Sequence, residues 1–171
     1  MGKRLVDITA ALCGLILGAP LFLLIGLAIK LDSSGPILYN GQRVGKGGKP
    51  FYMHKFRSMV QNADKIGGPS TAGDDVRLTR VGKLLKKFQL DELPQFFNVL
   101  KGEMSLVGPR PEVPMYVDMM SEQEKSTILS VRPGMTDWAS LWNFHEGEVL
   151  RGSEDPEKTY QEKIRPEKIR L

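Results

Sequence analysis

Residues 8–29 read ITAALCGLILGAPLFLLIGLAI, and this stretch contains no charged side chain. A straight helix of this length would reach about 33 Å at about 1.5 Å per residue, close to the hydrocarbon thickness of a bilayer, about 30 Å. The stretch is therefore long and apolar enough to enter a membrane as one spanning helix. Pro20 follows Gly18 and Ala19 near its middle, however, and a proline there removes a backbone hydrogen bond and favours a kink.

Basic residues flank this apolar segment on both sides, so charge gives no direction in which it would cross a membrane. The flanking cations are Lys3, Arg4, Lys30, Arg43, Lys46 and Lys49. A helix that enters the bilayer, bends at Pro20 and returns to the same face accounts for both the proline and the charges. The residues alone leave the spanning helix and the re-entrant helix equally open.

Composition limits the rest of the chain to one small globular unit that favours an anionic partner. The 171 residues carry a formal net charge of +4 and a sequence pI of about 9.2, which suits a phospholipid surface, a phosphorylated substrate or nucleic acid. The single cysteine, Cys13, lies inside the apolar segment, and His54 and His145 stand far apart. These residues provide no disulfide framework and argue against a zinc enzyme.

Patterns after the apolar segment predict a β-hairpin, a loop and a basic helix. Residues 36–42 (PILYNGQ) and 51–56 (FYMHKF) suit two short strands around the glycine-rich turn 45–50, and residues 58–76 suit a polar loop. Thr79 is placed to cap a helix whose apolar residues recur at helical spacing up to residue 88. The basic face of that helix suits solvent as well as it suits anionic lipid headgroups or substrate phosphates.

Residues 91–102 (DELPQFFNVLKG) predict a second helix, with Asp91 as its cap, Pro94 in its first turn and Gly102 at its end. Taken alone, Asp91 and Glu92 are ordinary acidic residues at a helix N-terminus. An ionised aspartate amid cations can also attack phosphorus, and a divalent cation can bridge carboxylate and phosphate oxygens. The cations near this pair in sequence are Arg77, Arg80, Lys83, Lys86, Lys87 and Arg110. Capping and catalysis are both open at this point.

Later residues predict further short helices. Ser121 with Glu124 has the spacing of a capping box, and the Asp-Pro pair at 155–156 opens another helix. Trp138 and Trp142 stand four residues apart and suit either the core or a membrane interface. Together these patterns predict a helix-rich α+β chain.

Four motifs in a fixed order resemble the monotopic phosphoglycosyl transferases, also called the bacterial sugar transferase family. The motifs are HKFRSM at 54–59, LDELPQ with NVLKG at 90–102, SLVGPRP at 105–111 and VRPGMT at 131–136. The resemblance covers nearly the whole chain and is to the minimal catalytic form of the family. Larger members carry additional membrane helices and a further domain before the catalytic unit. A longer helix is expected after the final KIRL.

The resemblance implies that Asp91 attacks the sugar-linked phosphate of a UDP-sugar, releases UMP and carries the phosphosugar as a covalent intermediate. Polyprenyl phosphate, usually undecaprenyl phosphate, then accepts the phosphosugar in the first membrane step of glycoconjugate synthesis. Asp91 and Glu92 are expected to hold Mg²⁺. The substrate-binding candidates are Lys55, Arg57, Arg77, Arg80, Lys86, Pro109, Arg110 and Pro111. Relatives often carry arginine at the position of Lys86, and lysine keeps the charge but loses the bidentate fork.

The resemblance also implies a fold and a location. Ala19 and Pro20 are similar to the pair that bends the family's re-entrant, non-spanning helix. The expected organisation is this membrane helix at 1–31 and a cytosolic catalytic domain at 32–171, with a β-hairpin and amphipathic interfacial helices. The domain would lie on the cytosolic face of the bacterial inner (cytoplasmic) membrane. The expected partners are the UDP-sugar, polyprenyl phosphate, the phospholipid bilayer and a second copy in a homodimer, but not nucleic acid.

Two expectations stay open. A non-catalytic, membrane-anchored scaffold of a glycan-assembly complex is the alternative function, and it would depend on the basic face rather than on carboxylate chemistry. After VRPGMT, residues 137–160 (DWASLWNFHEGEVLRGSEDPEKTY) depart from the GWAQVNGR of many relatives. Sugar contacts are therefore not assigned by resemblance there, and Asp137, Glu146 and Glu148 are open candidates.

Overall fold

The computed structural model describes residues 2–142 and 145–170. Its first element is a long helix, α1, which spans Gly2–Asp32 and contains Pro20. By length and composition α1 could cross a membrane. Many of its apolar side chains are exposed, namely those of Leu5, Val6, Leu12, Ile16, Leu17, Leu21, Leu23, Leu24, Leu27 and Leu31. The predicted long apolar helix is therefore confirmed.

Both ends of α1 are hydrogen-bonded to the globular domain that follows. Near the N-terminus, Arg4 donates to the backbone oxygens of Val99 at 2.6 Å and Leu100 at 2.9 Å. At the C-terminus, Asp32 Oδ2 accepts a hydrogen bond from the backbone N–H of Val81 at 3.0 Å. Residues at the two ends of this helix are thus held against one domain.

The predicted hairpin is confirmed as two antiparallel strands, β1 (Leu38–Val44) and β2 (Pro50–Phe56). A 3₁₀ turn at Lys46–Gly48 joins them, and two of its glycines have φ values of 67° and 75°, which favour residues without a Cβ. Strand β2 packs Phe51 and Met53 into a core cluster with Ala11 of α1, and Phe56 at its end makes an edge-to-face contact with Phe22 of α1. The hairpin therefore lies directly against the N-terminal helix.

The basic helix follows the loop at 58–76, which contains a 3₁₀ turn at Ala63–Lys65. Helix α2 spans Arg80–Lys87, and Thr79 caps it by accepting a hydrogen bond from the backbone N–H of Gly82 at 2.9 Å, as predicted. A Cβ at Gly82 would lie 1.8 Å from the carbonyl oxygen of Ser58. Glycine is thus required where α2 meets the end of the FRSM motif.

The predicted cap at Asp91 is wrong. Asp91 lies in a 3₁₀ turn, Leu90–Glu92, whereas helix α3 spans Gln95–Lys101 and has Pro94 at its N-cap position. The reason is the left-handed backbone of Gln89 (φ 54°), which ends α2 and starts a separate tight turn before α3 can begin. The predicted end of α3 is confirmed, since Gly102 adopts a left-handed conformation there.

Two motifs meet in a second, parallel sheet. Strand β3 (Ser105–Val107) pairs with β4 (Gly134–Thr136), and helices α4 (Pro114–Asp118) and α5 (Glu122–Ile128) lie between them in the chain. A Cβ at Gly134 would lie 2.2 Å from the backbone nitrogen of Gly108, so only glycine permits this contact. The predicted capping box of Ser121 and Glu124 is confirmed at the start of α5.

The C-terminal part is a series of short helices. They are α6 (Trp138–Trp142), α7 (Glu146–Val149), α8 (Pro156–Thr159), a π-helical turn (Tyr160–Ile164) and α9 (Arg165–Arg170). Asp155 caps α8 as predicted. Trp138 and Trp142 are 74% and 52% exposed, so the core interpretation of this pair is wrong. Ala139 is the buried residue of α6, whereas Trp138 and Trp142 lie one helical turn apart at positions that stay exposed.

Candidate active site

Glu92 lies between two cations that come from different elements. Lys55, at the end of β2, donates to Glu92 Oε1 at 2.7 Å, and Arg110 donates to the same oxygen through Nη2 at 2.9 Å. The side chains of Lys55 and Glu92 are only 14% and 16% exposed. The tight turn at 90–92 and the loop after β3 thus bring a carboxylate to the end of the hairpin.

The three groups of this cluster influence each other's ionisation. Burial opposes the charged form of Glu92, but Arg110 and Lys55 outweigh it and hold the pKa of Glu92 well below its usual range. Glu92 in turn raises the pKa of Arg110 against the effect of burial. Burial lowers the pKa of Lys55, and the attraction of Glu92 partly offsets this change. Glu92 is consequently ionised and already neutralised before any substrate arrives.

Asp91 has a different environment from its neighbour. Its residue is only 3% exposed, yet no hydrogen bond or ion pair engages its carboxylate within residues 2–142 and 145–170. Its charge acts on Lys55 through space. Asp91 lines an open cleft of about 1550 Å³ together with Glu92. Of the two carboxylates, Asp91 is therefore the one left available to an incoming group.

The predicted substrate-binding residues take up unequal positions around this cleft. Lys55, Arg57, Arg77, Lys86, Arg110 and Pro111 line the cleft with Asp91 and Glu92. Arg80 is exposed on α2 and lies outside the lining. Pro109 lies beside Arg110 in a smaller pocket with Val44 and Pro133. The structure thus brings most of these candidates together and leaves Arg80 and Pro109 at the periphery.

Two of the lining arginines use their guanidinium groups within the fold. Arg57 donates to the backbone oxygens of Ser33 and Ser34 at 2.7 and 2.6 Å, and so fixes the junction of α1 and β1. Arg77 binds Asp75 through Nε and Nη2, and its remaining donors reach backbone oxygens of the loop 63–70. Both are buried. These arginines hold the walls of the cleft in place.

The loop that carries Arg110 is fixed by the residue after the VRPGMT motif. Asp137 Oδ2 accepts a hydrogen bond from the backbone N–H of Arg110 at 2.8 Å, and Asp137 Oδ1 accepts one from Ser140 at 2.6 Å. The first bond positions the GPRP loop, and the second caps α6. Asp137 therefore acts through Arg110 and belongs to the support of the site.

Several lining residues were not among the sequence-based candidates. Arg43 lies in the cleft beside the cluster, and burial lowers its pKa. The hairpin register carries a signal for it, because Arg43 and Lys55 lie on the same face of the sheet. Tyr160 and Lys168 also line the cleft. Nothing in the sequence places those two there, since they come from helices about 70 residues after Asp91.

The carboxylates fit a magnesium ion only if the substrate supplies further ligands. Within the described part of the chain, no group of three or more histidine, cysteine, aspartate or glutamate side chains could hold a metal. Mg²⁺ is often held by one or two carboxylates, with phosphate oxygens and water as its other ligands. Asp91, with Glu92 beside it, meets that requirement, because its oxygens are not used by cations of the protein.

Comparison with known proteins identifies the family. The family model described as bacterial sugar transferase matches residues 1–165. The chain belongs to the bacterial sugar transferase family. The resemblance inferred from the four motifs is thereby confirmed, and the matched region includes both carboxylates and Arg110.

Three relatives of the chain have names that state a reaction. The UDP-N-acetylgalactosamine-undecaprenyl-phosphate N-acetylgalactosaminephosphotransferase of Aeromonas hydrophila is 47% identical over 81% of the chain and 33% of its own length. The UDP-glucose:undecaprenyl-phosphate glucose-1-phosphate transferase of Caulobacter vibrioides is 45% identical, with 85% and 55% covered. The undecaprenyl-phosphate galactose phosphotransferase of Salmonella typhimurium is 40% identical, with 82% and 32% covered.

The chain spans between about a third and just over half of the length of these relatives. All three names describe enzymes, so the comparisons do not favour the non-catalytic scaffold. The three names differ in the sugar. All three names state undecaprenyl phosphate as the acceptor.

Proposed function

We propose that this protein transfers a phosphosugar from a UDP-sugar to polyprenyl phosphate, releasing UMP and forming a polyprenyl-diphosphate-linked sugar. The contrast between the two adjacent carboxylates carries the proposal. Glu92 is neutralised by Lys55 and Arg110, whereas Asp91 faces the cleft with its oxygens unengaged by the described residues. A buried carboxylate whose oxygens are not taken up by cations of the protein is suited to attack an electrophile. The names of the relatives support the same reaction.

In the first step, an oxygen of Asp91 attacks the phosphorus that bears the sugar. The new bond joins Asp91 to phosphorus, and the bond from that phosphorus to the oxygen of UMP breaks. UMP leaves with the electron pair on its phosphate oxygen, so the step needs no oxidant or additional reactant. The product is an aspartyl-phosphosugar, which divides one transfer between two bulky substrates into two simpler displacements.

Cations at the cleft stabilise the charge that develops on the phosphate oxygens in this step. Arg110 and Lys55 are held by Glu92, and Lys86 lines the same cleft from the end of α2. Donors that are fixed in place before the reaction need no rearrangement as charge moves toward the leaving group. The cleft of about 1550 Å³ exceeds the usual range for small-molecule sites, roughly 300–1000 Å³. That volume accommodates a nucleotide-sugar with room for a second phosphate.

In the second step, an oxygen of polyprenyl phosphate attacks the same phosphorus and Asp91 leaves as a carboxylate. The acceptor is a lipid, and the apolar helix α1 packs against the domain that holds the cleft. Mg²⁺ is proposed as the cofactor. It would be held by Asp91 and Glu92 and would supply positive charge to the phosphate oxygens.

Helix α1 is proposed to be re-entrant, with the catalytic domain at the cytosolic face of the bacterial inner membrane. The support comes from the hydrogen bonds at its two ends, where Arg4 and Asp32 both contact the same domain. If α1 spanned a bilayer, its ends would be separated by about 30 Å of hydrocarbon. Pro20 lies midway between the two anchored ends, where a bend would return the chain to its starting face.

The experiment that tests the reaction measures UMP release by the detergent-solubilised protein. The assay contains Mg²⁺, undecaprenyl phosphate and UDP-glucose, UDP-galactose or their N-acetylhexosamine counterparts. Intact-mass analysis after rapid quench with donor alone should show an added phosphosugar on the wild type. Asp91→Asn should show neither the adduct nor turnover, whereas the exposed control Asp118→Asn should keep both.

Different failures have different meanings. Turnover without an adduct would indicate direct transfer in a ternary complex and remove the covalent step. Full turnover by Asp91→Asn would remove Asp91 from the mechanism. No UMP from any donor would reject the proposed reaction itself.

A further inference from the structure

A second cluster of polar side chains lines the cleft at the C-terminal end of the chain. Lys168 on α9 donates to Glu146 Oε2 at 3.0 Å and to the hydroxyl of Tyr160 at 3.2 Å. The Lys168 ammonium also lies 5.0 Å from the centre of the Tyr160 ring. The three residues come from α7, the π-helical turn and α9, and all of them line the cleft that contains Asp91.

Buried residues pack against this cluster and hold it in place. The Tyr160 ring stacks on Tyr116 with centroids 5.3 Å apart, and the Tyr116 hydroxyl donates to Glu157 at 2.6 Å. Ile164, one turn after Tyr160, is buried in the same core cluster. The Lys168 side chain is only 8% exposed. This packing fixes both the phenol and the ammonium, so the cluster has a defined shape before a ligand binds.

Arg110 connects the cluster to the candidate active site. One end of its guanidinium binds Glu92, the neighbour of Asp91, and Glu146 is near enough to contribute to the raised pKa of Arg110. Asp91, Arg110 and Glu146 line the same cleft, so a phosphate bound at Asp91 and the group attached to it can lie in one continuous space. The phosphate would meet the cations of the first cluster, and its substituent would meet the second.

The chemistry of the second cluster suits hydroxyl groups better than phosphates. The Glu146 carboxylate would repel a phosphate, and within the described residues its Oε1 atom accepts no hydrogen bond. A carboxylate accepts hydrogen bonds, an ammonium donates them and a phenol does both. A sugar offers adjacent hydroxyls that both donate and accept, so it can satisfy all three side chains at once. Uracil also carries donors and acceptors, and the experiment must distinguish it.

The names of the relatives indicate which part of the substrate varies within the family. The relatives named above share undecaprenyl phosphate as acceptor and differ in their sugar. Residues that choose the sugar are expected to differ among such proteins, whereas those that handle phosphate are expected to be shared.

We infer that Glu146, Tyr160 and Lys168 form the subsite that binds the hydroxyl groups of the donor sugar. The inference rests on the proposed function and names the part of the cleft that selects among UDP-sugars. A site built to hydrogen-bond a hydroxyl discriminates strongly against a sugar that presents it differently, because its own buried polar groups are then left unpaired.

The test compares donors that differ at one carbon of the sugar. UMP release is measured with UDP-glucose, UDP-galactose, UDP-N-acetylglucosamine and UDP-N-acetylgalactosamine for the wild type, Glu146→Gln, Lys168→Met and Tyr160→Phe. The matched control is Glu167→Gln, which alters an exposed ion pair on the same helix as Lys168. Inhibition by UMP, which carries no sugar, is measured for every variant. Tyr160→Phe keeps the ring stack, so it tests the hydroxyl even if another variant fails to fold.

The expected result is a loss of kcat/KM for the preferred donor of about 10- to 100-fold. The ratio between that donor and its epimer should shrink, while inhibition by UMP and the control stay unchanged. An equal loss with all four donors, a wild type that does not discriminate among them, or a parallel weakening of UMP inhibition would overturn the subsite. A wild type that uses no donor would instead reject the proposed reaction, and the subsite with it.

Discussion

The Nζ atom of Lys55 lies 2.7 Å from Oε1 of Glu92, although 37 positions separate the two residues in the chain. Strand β2 ends at the residue after Lys55, and the tight turn at 90–92 presents Glu92 to it. Arg110 reaches the same oxygen from the loop after β3. One carboxylate oxygen thus joins three separate motifs, and it leaves the adjacent Asp91 facing the cleft.

Loss of the Glu92 charge should lower stability in a pH-dependent way. We expect Glu92→Gln to reduce the free energy of unfolding by about 3 kcal/mol at neutral pH, because the buried ammonium of Lys55 loses its partner. The pKa of Glu92 is depressed in the folded state. Its stabilisation is therefore complete above the unfolded pKa, about 4.3, and is lost as the pH falls through the folded value.

Denaturant unfolding at a series of pH values checks this expectation. The difference between the wild type and Glu92→Gln should shrink as the solution becomes acidic, since protonation removes the same charge as the substitution. The exposed Glu122 provides a matched control, because Glu122→Gln should follow the wild type at every pH. A constant difference across the whole range would contradict the assigned role of Glu92.

Full activity should require the planar guanidinium group of Arg110 and not only a positive charge at that position. Arg110→Lys keeps a cation near Glu92 but loses the planar arrangement that can hold a carboxylate and a phosphate together. We expect kcat/KM for UMP release to fall about 10- to 100-fold, in proportion to one lost charge-assisted hydrogen bond. Arg132→Lys, at an exposed arginine that donates to the Gly102 carbonyl, should have no effect. Equal activity of the two variants would refute the expectation.

A methyl group at Gly82 should disrupt the contact between α2 and the HKFRSM motif. The added Cβ of Gly82→Ala would meet the Ser58 carbonyl oxygen at 1.8 Å, and neither backbone can move without separating the two elements. We expect the free energy of unfolding to fall by about 2–3 kcal/mol, even though alanine favours helices. Gly26→Ala is the helical control, since its Cβ would make ordinary contacts at 3.4 Å. Thermal unfolding distinguishes the two variants. A Gly82→Ala protein as stable as the wild type would show that the backbone adjusts to the added methyl group.

Asn98 joins α3 to the hairpin and should contribute strongly to stability. Its Oδ1 accepts a hydrogen bond from the backbone N–H of His54 at 2.9 Å, and its Nδ2 donates to the Tyr52 carbonyl at 2.8 Å. Asn98→Ala would leave both partly buried backbone groups without this partner, at a cost of about 2–4 kcal/mol in the free energy of unfolding. The exposed Asn40→Ala should cost far less by the same denaturant measurement. Similar losses would show that water replaces the Asn98 amide.

The re-entrant helix predicts that both ends of α1 lie on one side of the membrane. With Cys13 replaced by serine, single cysteines are introduced as Gly2→Cys and Ser34→Cys. A membrane-impermeant thiol reagent should label both in inverted vesicles and neither in intact spheroplasts. Labelling of one position from each side would support a spanning helix. It would also show that Arg4 and Asp32 do not contact the same domain when the protein is in a membrane.

Local sequence patterns correctly predicted the structural elements that depend on interactions between residues close together in the chain. The caps at Thr79, Ser121 and Asp155 depend on hydrogen bonds within three residues, and the hairpin depends on its glycine turn, so all four were confirmed. The predicted cap at Asp91 was wrong because Gln89 adopts a left-handed backbone conformation. A left-handed backbone is uncommon for residues other than glycine, asparagine and aspartate, so local preference does not predict it at Gln89.

The sequence predicted which residues belong to the candidate site better than it predicted how they are arranged. The motifs drew attention to Asp91, Glu92, Lys55 and Arg110, and the structure brings these four to one cleft. Charge alone could not show that the guanidinium groups of Arg57 and Arg77 donate hydrogen bonds to backbone oxygens of the fold. Nor could it show that Lys168 reaches the cleft, because that depends on how the short C-terminal helices pack.

The sequence by itself determined that a long apolar helix precedes a basic, carboxylate-bearing domain of the bacterial sugar transferase family. Composition and motif order are sufficient for that result, since both are read along the chain without knowing which residues meet in space. Only the tertiary structure decided which cations neutralise Glu92 and that Asp91 is left unengaged among the described residues. Hydrogen bonds and ion pairs act over about 3 Å, and folding alone sets such distances between residues that lie far apart in sequence.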